Sequence, residues 1–295
     1  ARGDGFEWVD ADDLQEDDLL VLGHAADEND LRPGGTIALD EIASGPLVFT
    51  DGGVTVNRDY YGATKWTSPQ AFTDEVAVDD FATLAGWYLA EGCVVYRRGM
   101  PSEVTFTLHS DERDEAEEIR SALGSFGVSS RIQSVDDRNT LHVHAEHSSF
   151  AQFIEGLFGT GASEKQVPDV LWDAPVETQA RVLDSLFAGD GRLEKRGKSQ
   201  RVKLKLANEE LVDFAFQAGL RCGVQFSRHD REPENRKPTY EVSASVSTAL
   251  GTPLERLFDA VPDEFAPRDR TKEFEGRDVV SIGSVVRLRD VDAKQ

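Results

Sequence analysis

Cysteine is nearly absent: Cys93 and Cys222 are the only two in 295 residues. Two thiols build neither a disulfide framework nor, by themselves, a zinc site, so a reduced, cytoplasmic protein is expected. Long apolar runs are missing too. No stretch approaches the roughly 18 uninterrupted apolar residues of a membrane helix, and no charged-then-apolar leader opens the chain; a membrane partner is not expected. No glycine-rich phosphate loop follows a strand, and no serine or cysteine has a credible neighbouring base, which leaves nucleophilic catalysis without support. Basic residues are scarce, 32 Lys+Arg against 55 Asp+Glu for a net charge of -23. Such a balance ordinarily argues against nucleic acid, because phosphate binding wants a positive surface.

The acids, however, are spread evenly through a chain whose aromatic and β-branched residues also run throughout, which is not the pattern of a disordered acidic tail. It is the composition of proteins from salt-saturated cytoplasm. There the Debye length falls to about 3 Å and global repulsion is screened, so net charge no longer excludes DNA. With 39% hydrophobic residues a core is attainable, as one large domain or two ordinary ones.

Residues 6–22 read as short strands and turns, 29–36 as a loop, and 42–78 as strands with turns at Asp51-Gly52-Gly53 and near Pro69. From Val78 the texture changes. Asp79 can cap a helix with apolar positions Phe81, Leu84, Ala85, Tyr88 and Leu89, stopped at Gly92. A strand at 104–108 follows, then Ser110 and Asp111 as caps of a helix from about Glu112 to Phe126, halted at Gly127. The order recurs: the helix VLDSLFAGDG (182–191), the strand VKLKL (202–206), the cap Asn208, and a helix over 209–222 halted at Gly223. Glu91 to Asp190 is 99 positions, Val104 to Val202 is 98, and Gly127 to Gly223 is 96. Three landmarks at nearly constant offset mark an internal duplication. Between the copies lie strands around 131–135 and 140–145 and a helix at 148–158.

An acid before glycine occurs six times and means nothing alone. Two of the six, Glu91 and Asp190, end the duplicated helices. Both helices carry small residues that permit close packing: Ala85, Gly86 and Ala90 in the first, Ser185, Ala188 and Gly189 in the second. If the helices pair about a pseudo-two-fold axis, the two acids meet at two helix C-termini, and four negative contributions converge. A divalent cation removes the conflict. Hard oxygen ligands suit Mg²⁺, which also takes phosphate oxygens, and carboxylate-held metals serve phosphodiester hydrolysis. Ordinary core helices capped by surface acids are the competing reading.

The residues 84–92 and 183–191 resemble the two dodecapeptide (DOD-type) motifs of LAGLIDADG homing endonucleases, above all those carried in inteins. The stretch from Lys165 to Leu171 is similar to the lysine block before the second motif, and 204–224 to the last block. The resemblance implies an α+β fold, a duplicated LAGLIDADG homing-endonuclease fold. It has two pseudo-two-fold related αββαββα-like halves with curved antiparallel sheets straddling DNA, flanked by mainly β intein (Hint-like) segments. It places a partial N-terminal splicing region at 1–75, the endonuclease at 76–260 (halves about 76–160 and 161–260) and a partial C-terminal splicing region at 261–295. It implies Mg²⁺-dependent cleavage of both DNA strands of a long asymmetric target in the intein-less host allele. Glu91 and Asp190 would be metal ligands, and Lys165 would activate water or stabilise phosphate charge. A monomer is expected, joined to host exteins in its parent polypeptide. Glu91 stands where Asp is the motif's residue, and Ser185 where the seam has glycine or alanine. No N-terminal Cys or Ser, no Thr-x-x-His block and no closing His-Asn is present, so this chain should not splice as it stands. A catalytically degenerate insert that binds DNA or merely persists is the alternative.

A DNA reader needs local positive charge. Arg192, Lys195, Arg196, Lys198, Arg201, Lys203 and Lys205 supply it against Glu194 alone, and Arg97-Arg98 hold the matching place after the first motif. In VKLKL the lysines alternate with apolar residues and face away from the core; which of these contact bases and which phosphates stays open. A solvated basic loop is the bland alternative. In LHVH (141–144) His142 and His144 share a strand face with His147 nearby, more in keeping with exposed strand histidines near DNA than with a metal site.

Overall fold

A computed structural model describes residues 13, 19–21, 29–56, 70–135, 139–196, 199–224, 226–231, 237–245, 272–274 and 277–281; of these, 19–21, 195, 196, 199, 272–274 and 277–281 are described as backbone. In chain order the first elements are β1 (Leu19–Val21), β2 (Thr36–Ala38), β3 (Leu47–Thr50), β4 (Gly53–Val56) and β5 (Glu75–Ala77). The first copy of the repeat is α1 (Val78–Glu91), β6 (Gly92–Arg97), β7 (Met100–His109), α2 (Arg113–Ser125), β8 (Arg131–Val135), β9 (Thr140–Ala145) and α3 (Ser148–Phe158). A short α4 (Asp169–Trp172) leads to the second copy: α5 (Val176–Asp190), β10 (Gly191–Arg196), β11 (Ser199–Leu206), α6 (Glu209–Arg221), β12 (Ser227–Arg231) and β13 (Thr239–Ser245). Near the C-terminus, β14 (Lys272–Phe274) and β15 (Arg277–Ser281) follow, and β1 pairs with β15.

The two copies build antiparallel sheets of the same strand order, β6-β7-β9-β8 and β10-β11-β13-β12. The mixed helix-and-antiparallel-sheet architecture that the resemblance implies is therefore present, and the first copy has the full αββαββα sequence of elements. The place of a seventh element in the second copy lies outside the described residues, as do most of 6–22 and all of 282–295. Alternation sets which way each strand faces. On β7, Val104, Phe106 and Leu108 point into the core, and on β11 Val202 and Leu204 do the same. The intervening residues form an outward face on each sheet. Against the inner face of the first sheet lie Phe150, Phe153 and Phe158 of α3, the first two in ring contact with Phe126 and Phe72.

Residues 29–56 and 70–77 pack into that same core through Leu31, Ile37, Leu39, Val54, Phe72 and Val76. They also hydrogen-bond to both copies. Asn29 donates to the Val170 carbonyl, Thr178 on α5 donates to the Leu31 carbonyl, and Ser44 donates to the Gly156 carbonyl on α3.

Helix starts differ from expectation where the capping residue competes with other partners. Asp79 lies inside the first turn of α1, after Ala77 as N-cap; its carboxylate accepts from the Gly34 N–H and pairs with Arg181 on α5. Neither Ser110 nor Asp111 caps α2. Glu112 is the N-cap residue, and its side chain turns back to accept from the His109 N–H. Asn208 caps α6 as expected, accepting from the Leu211 N–H.

Candidate active site

α1 and α5 cross where small residues coincide. A Cβ added to Gly86 would lie 2.3 Å from the Val182 carbonyl oxygen and 2.7 Å from the Ser185 Cβ; one added to Gly189 would lie 2.7 Å from the Ala90 Cβ. Gly86 and Ser185 are equivalent positions in the repeat, and so are Ala90 and Gly189. Contacts between equivalent positions are what a two-fold relation between the helices demands. Ser185 does not loosen the seam, because its Cβ occupies the room that Gly86 leaves free. Ala85 is fully buried, and Ala188 lines a shallow cavity of about 320 Å³ between α2, α5 and β10.

This crossing brings the last residues of both helices together. The Cβ position of Gly189 lies 3.1 Å from the Glu91 Cγ. Each helix then turns at once into a strand, with no room for a side chain at the turn: a Cβ on Gly92 would sit 2.3 Å from the Tyr88 Cδ2, and one on Gly191 2.3 Å from the Phe187 carbonyl oxygen. The repeated acid–glycine pair thus places an acid at the seam and a glycine where the chain folds back on its own helix.

Burial first, then the charge of Asp190 and of Glu112, pushes Glu91 up from 4.5 to about 7, with Lys165 opposing. Asp190 is exposed by surface area, yet desolvation by the protein around its carboxylate pushes it up from 3.8 to about 6, again opposed by Lys165. Lys165 itself is only 6% exposed. Burial lowers it from 10.5 to about 8, while Asp190, Cys93 and Glu91 act the other way. Its ammonium donates to the carbonyls of Tyr88, Leu89 and Ala90 at 2.7, 2.9 and 3.3 Å and lies 5.2 Å from the Tyr88 ring centroid. Lys165 is therefore a cation on the last-turn carbonyls of α1, of which that of Tyr88 also accepts from the Gly92 N–H, and the helix dipole favours it there. Asn208 fixes it from the second copy by donating to the Lys165 carbonyl at 2.6 Å, and Tyr88 donates to the Gly159 carbonyl at the head of the same loop.

These shifts make the metal-free fold pH-dependent. An acid whose folded pKa is raised gives stability that is complete below its unfolded value and lost as pH rises through the folded value. The melting temperature in chelator should fall from pH 5 to pH 7, and Glu91→Gln should flatten that fall. A flat profile for the unmodified chain would contradict the raised pKa of both acids.

Among the described residues no group of three or more His, Cys, Asp or Glu side chains is arranged to hold an ion. The pair Glu91 and Asp190 supplies two carboxylates, so remaining ligands would come from water and substrate. That donor set fits Mg²⁺, which is commonly held by one or two carboxylates together with substrate phosphates.

On the outward sheet faces, Arg97 pairs with Glu103 at 3.4 Å, and Arg98 forms the β6–β7 turn at φ 56°. Arg192 faces out from β10 near Glu241, at 3.9 Å. Arg201 donates to the Ser243 hydroxyl at 2.9 Å, and Lys203 is held by Glu194 at 2.8 Å and Glu241 at 3.1 Å, which raises its pKa. Lys205 is exposed on the same face. Lys195 and Arg196 lie on β10 as backbone, and Lys198 lies outside the described residues. Sequence reading named Glu194 as the acid within the basic segment but missed Glu103 and Glu241 as partners, and it missed Arg131, His229 and Arg231 on the outward faces of β8 and β12. Strand alternation around each would have found them.

The histidines separate. His142 and His144 are half-buried on the outward face of β9, rings 5.6 Å apart, with His142 against Thr107 and His144 Nδ1 2.5 Å from Glu103. His147 is buried instead and caps α3, accepting from the Phe150 N–H; burial lowers its pKa.

Residues 79–155 match the profile of a LAGLIDADG-like domain, which spans α1 through most of α3. A DNA polymerase of Thermococcus sp. (strain GE8) is 30% identical over 140 residues, 46% of this chain and 8% of the polymerase. An iron–sulfur cluster assembly SufBD family protein of Mycobacterium bovis is 30% identical over 122 residues, 40% of this chain and 14% of that protein. The chain thus spans a small fraction of the length of these relatives. A solved structure of the homing endonuclease I-DmoI in complex with DNA and Mn aligns over 61% of this chain and 92% of that one, at 14% identity and a TM-score of 0.44.

Proposed function

We propose that the protein is a site-specific, Mg²⁺-dependent double-strand DNA endonuclease, the homing module of an intein. One observation carries the reading: two acids at equivalent places in an internal repeat are brought side by side by helices that touch at equivalent residues. Glu91 is half-buried and Asp190 exposed beside it; partly desolvated acids that repel one another are costly in a metal-free fold, and they persist where an ion is meant to lie between them. A divalent cation supplies Lewis acidity toward phosphate oxygen and offsets the charge that develops in hydrolysis. Glu91 and Asp190 would hold it, each as an anion. Lys165, fixed on the α1 carbonyls, keeps positive charge beside the pair and orients the last turn that carries Glu91. The outward sheet faces would bind duplex DNA.

Carriage in an intein is supported by the hosts. Similar segments lie in a polymerase and in an iron–sulfur assembly protein, whose named activities are unrelated, and they take up a small part of each. A segment shared in this way is a passenger rather than part of either host's own activity. The pairing of β1 with β15, from the two flanks of the repeat, is in keeping with an insertion whose flanks form one unit. The acid-rich surface fits work at molar salt.

The test exposes a plasmid library of random inserts to the protein in Mg²⁺ and molar KCl, and sequences the linearised fraction. A recurrent long site cut on both strands is expected. Retention of such a site on the protein without nicking would favour the degenerate binder instead, and neither binding nor cutting would overturn both.

A further inference from the structure

Both sheets carry acids on the face proposed to meet DNA, and these acids sort the cations into two kinds. On the first sheet Glu103, 5% exposed, takes the His144 Nδ1, the Thr105 hydroxyl and the Arg97 guanidinium as partners. On the second, Glu241 and Glu194 together hold Lys203, whose side chain is 12% exposed, while the exposed Lys205, although its cross-strand neighbour is Glu241, makes no ion pair with it or with another carboxylate among the described residues. Counterion release comes from cations free to neutralise phosphate, and a lysine already shared by two carboxylates has little to give. A carboxylate set over a phosphate is repelled by it, whereas over a groove it meets base edges that carry hydrogen-bond donors, the exocyclic amine of cytosine among them.

We infer that Glu103 and Glu241 are positioning residues for base reading. Each fixes its partners, Arg97 and His144 on one sheet and Lys203 on the other, over the major groove, while Lys205 binds phosphate. With Nδ1 turned to Glu103, His144 presents Nε2 to the ligand, where the ring can meet a base edge. The inference sorts the basic residues that sequence alone leaves unsorted, and it rests on the DNA-binding reading above.

The test is selection of bound duplexes from a random-sequence pool in EDTA, so that nothing is cut, followed by salt titration of the winning duplex. Glu103→Gln and Glu241→Gln should each lose preference at base positions confined to one half of the site, about tenfold per position, with an unchanged or steeper salt slope. His144→Ala should lose the same positions as Glu103→Gln, which separates positioning from misfolding. Lys205→Ala should keep the whole sequence preference, bind every duplex more weakly and lower the slope by about one. Full preference retained in both glutamine variants, or preference lost at particular bases in Lys205→Ala, overturns the inference. An unmodified chain that enriches no duplex overturns the DNA reading itself, an outcome distinct from a variant that binds without discriminating.

Discussion

Asp190→Asn and Glu91→Gln should each lower DNA cleavage by on the order of 10³-fold or more, since a cation site worth several kcal/mol to the transition state is lost with either ligand. In chelator at pH 8 the same variants should melt higher than the unmodified chain. Each removes one of two like charges held side by side, and above about pH 7 both acids would otherwise be ionised with no ion between them. Opposite signs for activity and stability are the signature of a site built for a ligand. An inactive variant that also melts lower would point to a structural role for the acids, and undiminished cutting would remove them from the chemistry altogether.

The second large effect concerns the seam. Gly86→Ala places a Cβ against backbone atoms of α5, 2.3 Å from the Val182 carbonyl oxygen and 3.1 Å from the Leu186 N, and neither can rotate away as a side chain would. Stability should fall by about 3 kcal/mol, and Gly86→Leu should prevent the two copies from closing on each other. Gly124, inside α2 with nothing within 4 Å of its Cβ position, is the control; Gly124→Ala should be neutral or stabilising by up to about 1 kcal/mol. Thermal and denaturant unfolding of the three variants decides the matter. If Gly86→Ala melts with the unmodified chain, α1 and α5 are not packed through this crossing.

Sequence and structure agree best where the signal is local and repeated. The helix–strand order, the acids Glu91 and Asp190 before glycine, the alternation in VKLKL and the Asn208 cap all depend on neighbours within a few positions, and a second copy of each removes accidents. What the sequence hides is non-local. Lys203 is paired with Glu241, 38 positions away and diagonal to it on the neighbouring antiparallel strand, so a segment that reads as seven cations against one acid is partly compensated in the fold. Glu103 reaches His144 by the same means. Asp79 has the composition of a cap yet turns to Gly34 and Arg181, because tertiary partners outcompete the adjacent N–H groups. Lys165 was legible as important from its place before the second motif. That it sits on the carbonyls of the first motif's helix follows only from the crossing of the copies.

The central claim, an ion held between Glu91 and Asp190, is tested most directly by melting the metal-free chain at pH 8 against increasing Mg²⁺, with Mn²⁺ in parallel, beside Asp190→Asn. The melting temperature of the unmodified chain should rise with cation concentration as a one-site ligand requires, and Asp190→Asn should lose most of that rise. An equal rise in both proteins would contradict the claim and assign the effect to general screening of an acidic surface.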